Sequence, residues 1–221
     1  MYTINQNLKK MKRTNSILSS ILLIVLAWSC YPEGPEYVDQ LDVVYTNYDE
    51  GFDFSDKGTF SVPDSVLKIS GQNTNDPEFV NPVYGDVIIA QIRENMTNYG
   101  WSEVDADEDP DVIILPSSMS TTTLHYHYNW NYWDWYYPGW GAGMNWYYPG
   151  YYPAYVSGYS TGTVFIQMTY PDGTTPTNNN VPVVWNSVID GLLQGSTENL
   201  NERFRTNINQ AFVQSPYLDL N

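Results

Sequence analysis

Few side chains in this sequence could do chemistry, and they fall in four places. One thiol, Cys30, is the only cysteine of 221 residues. The only two imidazoles, His125 and His127, stand two apart with Asp134 nearby. If that stretch is extended, both rings point to one face and could hold a metal with Asp134 as a third ligand. An acidic run, Asp105-Ala106-Asp107-Glu108-Asp109-Pro110-Asp111, carries carboxylates at alternate positions. Last, residues 125–159 hold Trp130, Trp133, Trp135, Trp140 and Trp146, many tyrosines, no Phe, and Asp134 as their only charge.

Each place has a chemical reading to be weighed. A calcium loop opening at Asp105 would need Gly at its sixth position and Glu at its twelfth, which here are Pro110 and Pro116. The acidic run therefore reads as a solvated turn leading into a strand. The histidines read as polar residues at the mouth of an aromatic loop, so no metal and no cofactor is expected. No Gly-x-Ser-x-Gly elbow, His-Glu-x-x-His pair or phosphate-binding glycine loop is present. The expectation is a protein that is not an enzyme, with a hydrolase or metalloprotein using His125 and His127 as the remote alternative.

Cys30 has the more informative neighbourhood. Lys9, Lys10, Lys12 and Arg13 precede the apolar run Ile21-Leu22-Leu23-Ile24-Val25-Leu26-Ala27, and residues 1–29 contain no acid. A basic segment and a short apolar core are the parts of a secretory signal, and the core is too short to span a bilayer. Leu26-Ala27-Trp28-Ser29-Cys30 resembles a bacterial lipobox, in which the thiol is acylated and becomes the first residue of the mature chain. Tyr31 follows, not an inner-membrane retention aspartate, which points to the outer membrane. The expected organisation is a signal peptide over 1–29, a lipidated tether over 30–40, and one domain over 41–221.

Charge narrows the partners. The full chain has 9 basic and 25 acidic residues. Removing the signal leaves Lys57, Lys68, Arg93, Arg203 and Arg205 as the whole positive charge. Such a surface is repelled by nucleic acid, so no nucleic-acid partner is expected.

The rings of 125–159 need a scaffold and a reason. Trp135-Tyr136-Tyr137-Pro138-Gly139 recurs as Trp146-Tyr147-Tyr148-Pro149-Gly150. Pro and Gly at that density forbid long helices and central strands. Trp and Tyr combine a large ring with a polar handle, which suits sugar stacking, a lipid headgroup boundary or a protein partner. Trp130, Trp133, Trp135, Tyr136, Trp140, Trp146 and Tyr147 are the candidate binding residues. With few aliphatic residues, the insert is expected to project as a hairpin extension that buries little against the domain. A contact with an envelope protein is the leading reading, and a glycan or small-ligand module the alternative.

The positioning elements follow from periodicity. Strands are expected over 41–46, 58–62, 101–104, 111–115 with a continuation to 124, 163–170 and 183–189. A helix begins at Asn81-Pro82 and stops at Gly100, burying Ile88, Ile89, Ile92 and Met96. A second is capped by Ser196 or Thr197, repeats Leu200, Phe204, Ile208 and Phe212, and stops before Pro216. This order predicts an α+β domain: one mixed or mainly antiparallel sheet, two helices on one face, and the aromatic insert.

Several short motifs occur in a telling order: Asp53-Phe54-Ser55, Gly58-Thr59-Phe60, Tyr99-Gly100, Asp109-Pro110-Asp111-Val112-Ile113-Ile114, Gly162-Thr163-Val164-Phe165-Ile166, Val184-Trp185 and Ser215-Pro216. Over residues 41–218 the chain resembles the bacterial lipoproteins grouped as domain of unknown function 4136. The resemblance implies an α+β envelope lipoprotein and brings no catalytic residues; the aromatic insert departs from the family pattern.

Overall fold

The computed structural model describes residues 42–69, 77–119, 136–137, 145–147, 162–174, 180–191 and 197–221. Among the described residues eight strands form the sheet: β1 Val43–Tyr48, β2 Thr59–Ser61, β3 Leu67–Ile69, β4 Ser102–Glu103, β5 Val112–Met119, β6 Asn145–Tyr147, β7 Thr163–Thr169 and β8 Asn180–Asp190. The main order is β1-β8-β7-β5-β2-β4, with β3 beside β5 and β6 beside β8. Pairs β1/β8, β8/β7 and β7/β5 are antiparallel. Those joining β2 to β4 and β5, β3 to β5, and β6 to β8 are parallel, so the sheet is mixed.

Two strands were not legible from pattern. β3 has three residues, and β6 lies inside the aromatic insert. Strand β5 runs straight through Pro116, a residue that cannot donate to a ladder. Its neighbour changes there: β2 pairs with Val112 and Ile113, and β3 with Ser117 to Met119. Proline sits opposite the break between them.

Helix α1, Pro82–Asn98, starts where expected. The Asn81 side chain accepts from the Val83 amide at 3.0 Å, and Gly100 closes the helix at φ 88°. Helix α2 spans Thr197–Val213. The two lie side by side in the same direction, with the Tyr84 and Phe204 rings 6.2 Å apart at the start and Tyr99 and Phe212 5.6 Å apart at the end.

Both helices pack on one face of the sheet. The core there joins Ile88, Ile92, Met96, Phe204, Ile208 and Phe212 to Ile114, Ile166, Met168 and Trp185 of the strands. Trp185 donates to the Ser215 hydroxyl at 2.8 Å, and Trp101 to the Leu218 carbonyl at 2.7 Å, so neither indole is buried without a partner. Among the described residues, no helix is long and apolar enough to cross a membrane.

Candidate binding surface

The face of the sheet away from the helices decides how the insert is held. Along β5, β7 and β8, residues pointing to both sides are buried. A sheet with one solvated face would instead alternate buried and exposed. Leu67, Ile113, Leu115 and Val181 make a second apolar cluster on this face, with Ile69, Tyr136 and Tyr137 packed against it. Met119, Phe165 and Val188 make a third.

Tyr136 is thus anchored to the domain. Its hydroxyl lies 2.6 Å from Ser61 Oγ of β2, and burial pushes its pKa up although the Ser61 hydrogen bond pulls the other way. Burial also raises Tyr137, helped by the negative charges of Asp109 and Asp172. Further along the insert, β6 pairs in parallel with the start of β8, Trp146 opposite Val181 and Tyr147 opposite Pro182. The insert leaves the sheet after Met119 and returns at Gly162, whose amide donates to the Met119 carbonyl at 2.8 Å. Tyr136, Tyr137 and β6 therefore tie the described residues of the insert to the domain. The expectation that it buries little against the sheet is corrected. The rings of Tyr136 and Tyr137 add to the apolar area on this face.

Of the candidate binding residues, the structure brings Tyr136, Trp146 and Tyr147 back to the sheet. Trp130, Trp133, Trp135 and Trp140 lie outside the described residues, as do His125, His127 and Asp134, and so does Cys30. Among the described residues no group of three or more His, Cys, Asp or Glu side chains is arranged to hold a metal.

Sequence reasoning passed over a polar row beneath this layer. Asn47, Asn186 and Gln167 stand in register across β1, β8 and β7, and Ser117 lies on the same face of β5. Gln167, Asn186 and Ser117 are buried, and Asn186 Oδ1 and Ser117 Oγ accept or donate no hydrogen bond. The alternation along β7 gave a signal, but an alternation of polar residues ordinarily means a solvated face.

The acidic run has a structural role. Asp111 Oδ2 accepts from the amides of Gly58 and Thr59 and the Thr59 hydroxyl, each at 2.9 Å. Burial alone would raise this carboxyl, but those hydrogen bonds and the nearby Lys57 charge hold it below its ordinary value. Asp109 takes a left-handed turn at φ 51°, and Glu108 accepts from the Asp105 amide. This motif joins β5 to β2.

A buried ion pair also escaped sequence reading. Arg203 of α2 donates through Nη2 and Nε to the two carboxylate oxygens of Asp42, and Nη2 also donates to the Gly191 carbonyl at 2.8 Å. Asn207 donates to Asp42 Oδ2 at 2.8 Å. The group fixes Asp42, the first described residue, to the helix layer.

Comparison with known proteins agrees with this fold. The family model described as domain of unknown function (DUF4136) matches residues 44–217. The crystal structure of a DUF4136 family protein from Bacteroides thetaiotaomicron is similar at 30% identity, covering 81% of this chain and 98% of that one, with a TM-score of 0.66. A remote likeness to the PelC dodecamer from Paraburkholderia phytofirmans, 13% identical over 80% of this chain and 97% of that one, has a TM-score of 0.39 and carries no argument. No curated protein matches the chain.

Proposed function

Since the chain belongs to the family of domain of unknown function 4136, we propose that it is a non-enzymatic lipoprotein of the bacterial outer membrane, anchored through Cys30, that contacts an envelope partner through its Tyr/Trp-rich insert. One observation carries the anchor: the only thiol of the chain stands directly after a basic and apolar leader, twelve residues before Asp42, where the folded domain is pinned. Nothing in the composition near Cys30 calls for a buried thiol, and acylation gives that position a use. Two or more acyl chains hold a protein to a bilayer far better than one.

The contact role draws on the insert. Tyr136 and β6 tie the insert to the sheet at two places. Trp and Tyr, the residues that dominate the insert, are also the side chains that most often anchor protein contacts. The test is to replace Trp130, Trp133 and Trp140 with alanine, leaving Tyr136, Trp146 and Tyr147 untouched. The expected result is an unchanged melting temperature together with loss of the species that co-purifies with the wild type from native membranes. Retention of that species by the triple variant overturns the contact role.

The polar row favours a second reading, a glycan or small-ligand module, because Asn186 Oδ1 and Ser117 Oγ are buried without a hydrogen-bond partner on that face of the sheet. Titration with cell-envelope polysaccharide would show saturable binding under that reading, reduced by Asn186→Leu.

A further inference from the structure

Among the described residues the sheet ends in two outer strands of different make. β4, at one border, is two residues long, and its Glu103 accepts from Arg93 at 2.7 Å. Shortness and charge are ordinary means of keeping a sheet border from pairing with another chain. β1, at the other border, has six residues, Val43-Val44-Tyr45-Thr46-Asn47-Tyr48, with no charge and no proline. Its register with β8 is unbroken. This border lacks the usual guards.

The hydrogen-bond phase of β1 decides which groups look outward. The Asp49 amide donates to the Val184 carbonyl at 2.9 Å, and that pair continues the β1/β8 register. Hydrogen-bonded pairs recur at every second residue of an antiparallel ladder. Val43, Tyr45 and Asn47 therefore bond to β8, while Val44, Thr46 and Tyr48 turn their amides and carbonyls away from it. The Tyr48 amide is capped by the Asn47 side chain, whose Oδ1 accepts at 2.9 Å. Among the described residues, the outward amides and carbonyls of Val44 and Thr46 have no partner. The Thr46 side chain does not cover them, since it hydrogen-bonds to Tyr217.

We propose that β1 pairs antiparallel with β1 of a second copy about a two-fold axis at Tyr45, joining two sheets into one. The open groups are symmetric about that residue. Val44 of one chain meets Thr46 of the other, so each outward amide finds an outward carbonyl. Tyr45 falls opposite Tyr45, an aromatic pair of the kind that stabilises adjacent strands. Because Tyr45 packs on the cluster of Met119, Phe165 and Val188, the pair extends that cluster across the axis. β1 also brings no charge to the axis, although the chain as a whole has 25 acidic residues against 9 basic ones. Symmetry and neutrality together select a second copy. A foreign strand could use the same groups but would need neither.

Cysteine pairing reads the register directly. Each full chain carries Cys30→Ser and one introduced thiol, and is treated with a mild disulfide-forming oxidant. In this register the two copies of residue 45 have Cα atoms about 4.5 Å apart, within disulfide reach. The two copies of residue 43 lie roughly 14 Å apart, beyond it. Tyr45→Cys should form a covalent dimer about tenfold faster than Val43→Cys, although Val43 is the more exposed residue. Equal rates, or a faster rate at 43, overturn the pairing. The second measurement is sedimentation equilibrium of the full chain in mild detergent, with and without Val44→Pro. Proline there removes an outward amide, so the β1/β8 ladder keeps its bonds. The expected result is a mass of two chains for the wild type. The variant should dimerise about tenfold more weakly, with the same circular dichroism spectrum. A variant that dimerises as well as the wild type overturns the proposal. So does a wild type of one-chain mass, which leaves this border to a strand of another protein.

Discussion

At the scale of single residues, two polar groups hold the fold at long range. Arg203 answers a carboxylate, Asp42, that is itself buried. Removing one partner leaves the other charge without compensation in a place with little water. Arg203→Ala should therefore cost about 3–5 kcal/mol in a denaturant melt. A cost below about 1 kcal/mol would show that Asp42 regains solvent when the arginine is lost. Asp111 acts through hydrogen bonds to β2. Its carboxyl is held below the ordinary 3.8 in the folded chain. The stability it adds is thus present above that pH and is lost as pH falls through the folded value. Asp111→Asn should lower stability at neutral pH and flatten the acid limb of stability against pH. An unchanged acid limb would assign that limb to other carboxylates. Sequence alone did not reveal these partners, because Asp42 and Arg203 lie 161 positions apart, and Asp111 looked like the last acid of a solvated turn.

At the scale of elements, the helices were legible and the sheet was legible in part. Ile88, Ile92 and Met96, and Phe204, Ile208 and Phe212, recur every four residues, and all are buried. Asn81 and Gly100 bracket α1 as their chemistry requires. Phe204→Ala should destabilise by about 3–5 kcal/mol, read from a chemical melt. A change under roughly 1 kcal/mol would place that face of α2 away from the core. The sheet hid more because a parallel partner leaves no local mark. β3 is three residues whose partner in β5 is 50 positions away, and β6 is a piece of a Tyr/Trp/Pro/Gly tract without strand periodicity. Gln167 and Asn186 are polar residues of β7 and β8, a type that strand patterns ordinarily place toward solvent. They are buried because the far face is covered.

For the whole molecule, Tyr136, Tyr137 and β6 tie the insert to the sheet, and the consequence can be measured. Replacing residues 128–157 with a short Gly/Ser linker removes Tyr136, Tyr137 and β6 together. Leu67, Ile113, Leu115 and Val181 would then face water, each at about 1.5–3 kcal/mol. That is comparable to the roughly 5–15 kcal/mol that holds an ordinary domain together. The replaced chain should lose its cooperative melt by circular dichroism; a melt within a few degrees of the wild type would restore the projecting loop. The candidate binding site was legible as composition, in the density of Trp and Tyr. Which rings belong to the fold was not, since that depends on a face of the sheet assembled from three distant strands. The proposed anchor, by contrast, rests on consecutive residues from Lys9 to Cys30, since signals for export and acylation are read on a chain before it folds. The most direct measurement of the central claim is therefore fractionation of cells making the wild type or Cys30→Ser, with radiolabelled fatty acid supplied. The account predicts labelled wild type in the outer-membrane fraction and an unlabelled variant released from it. An unlabelled wild type, with the variant still in the membrane, would contradict it.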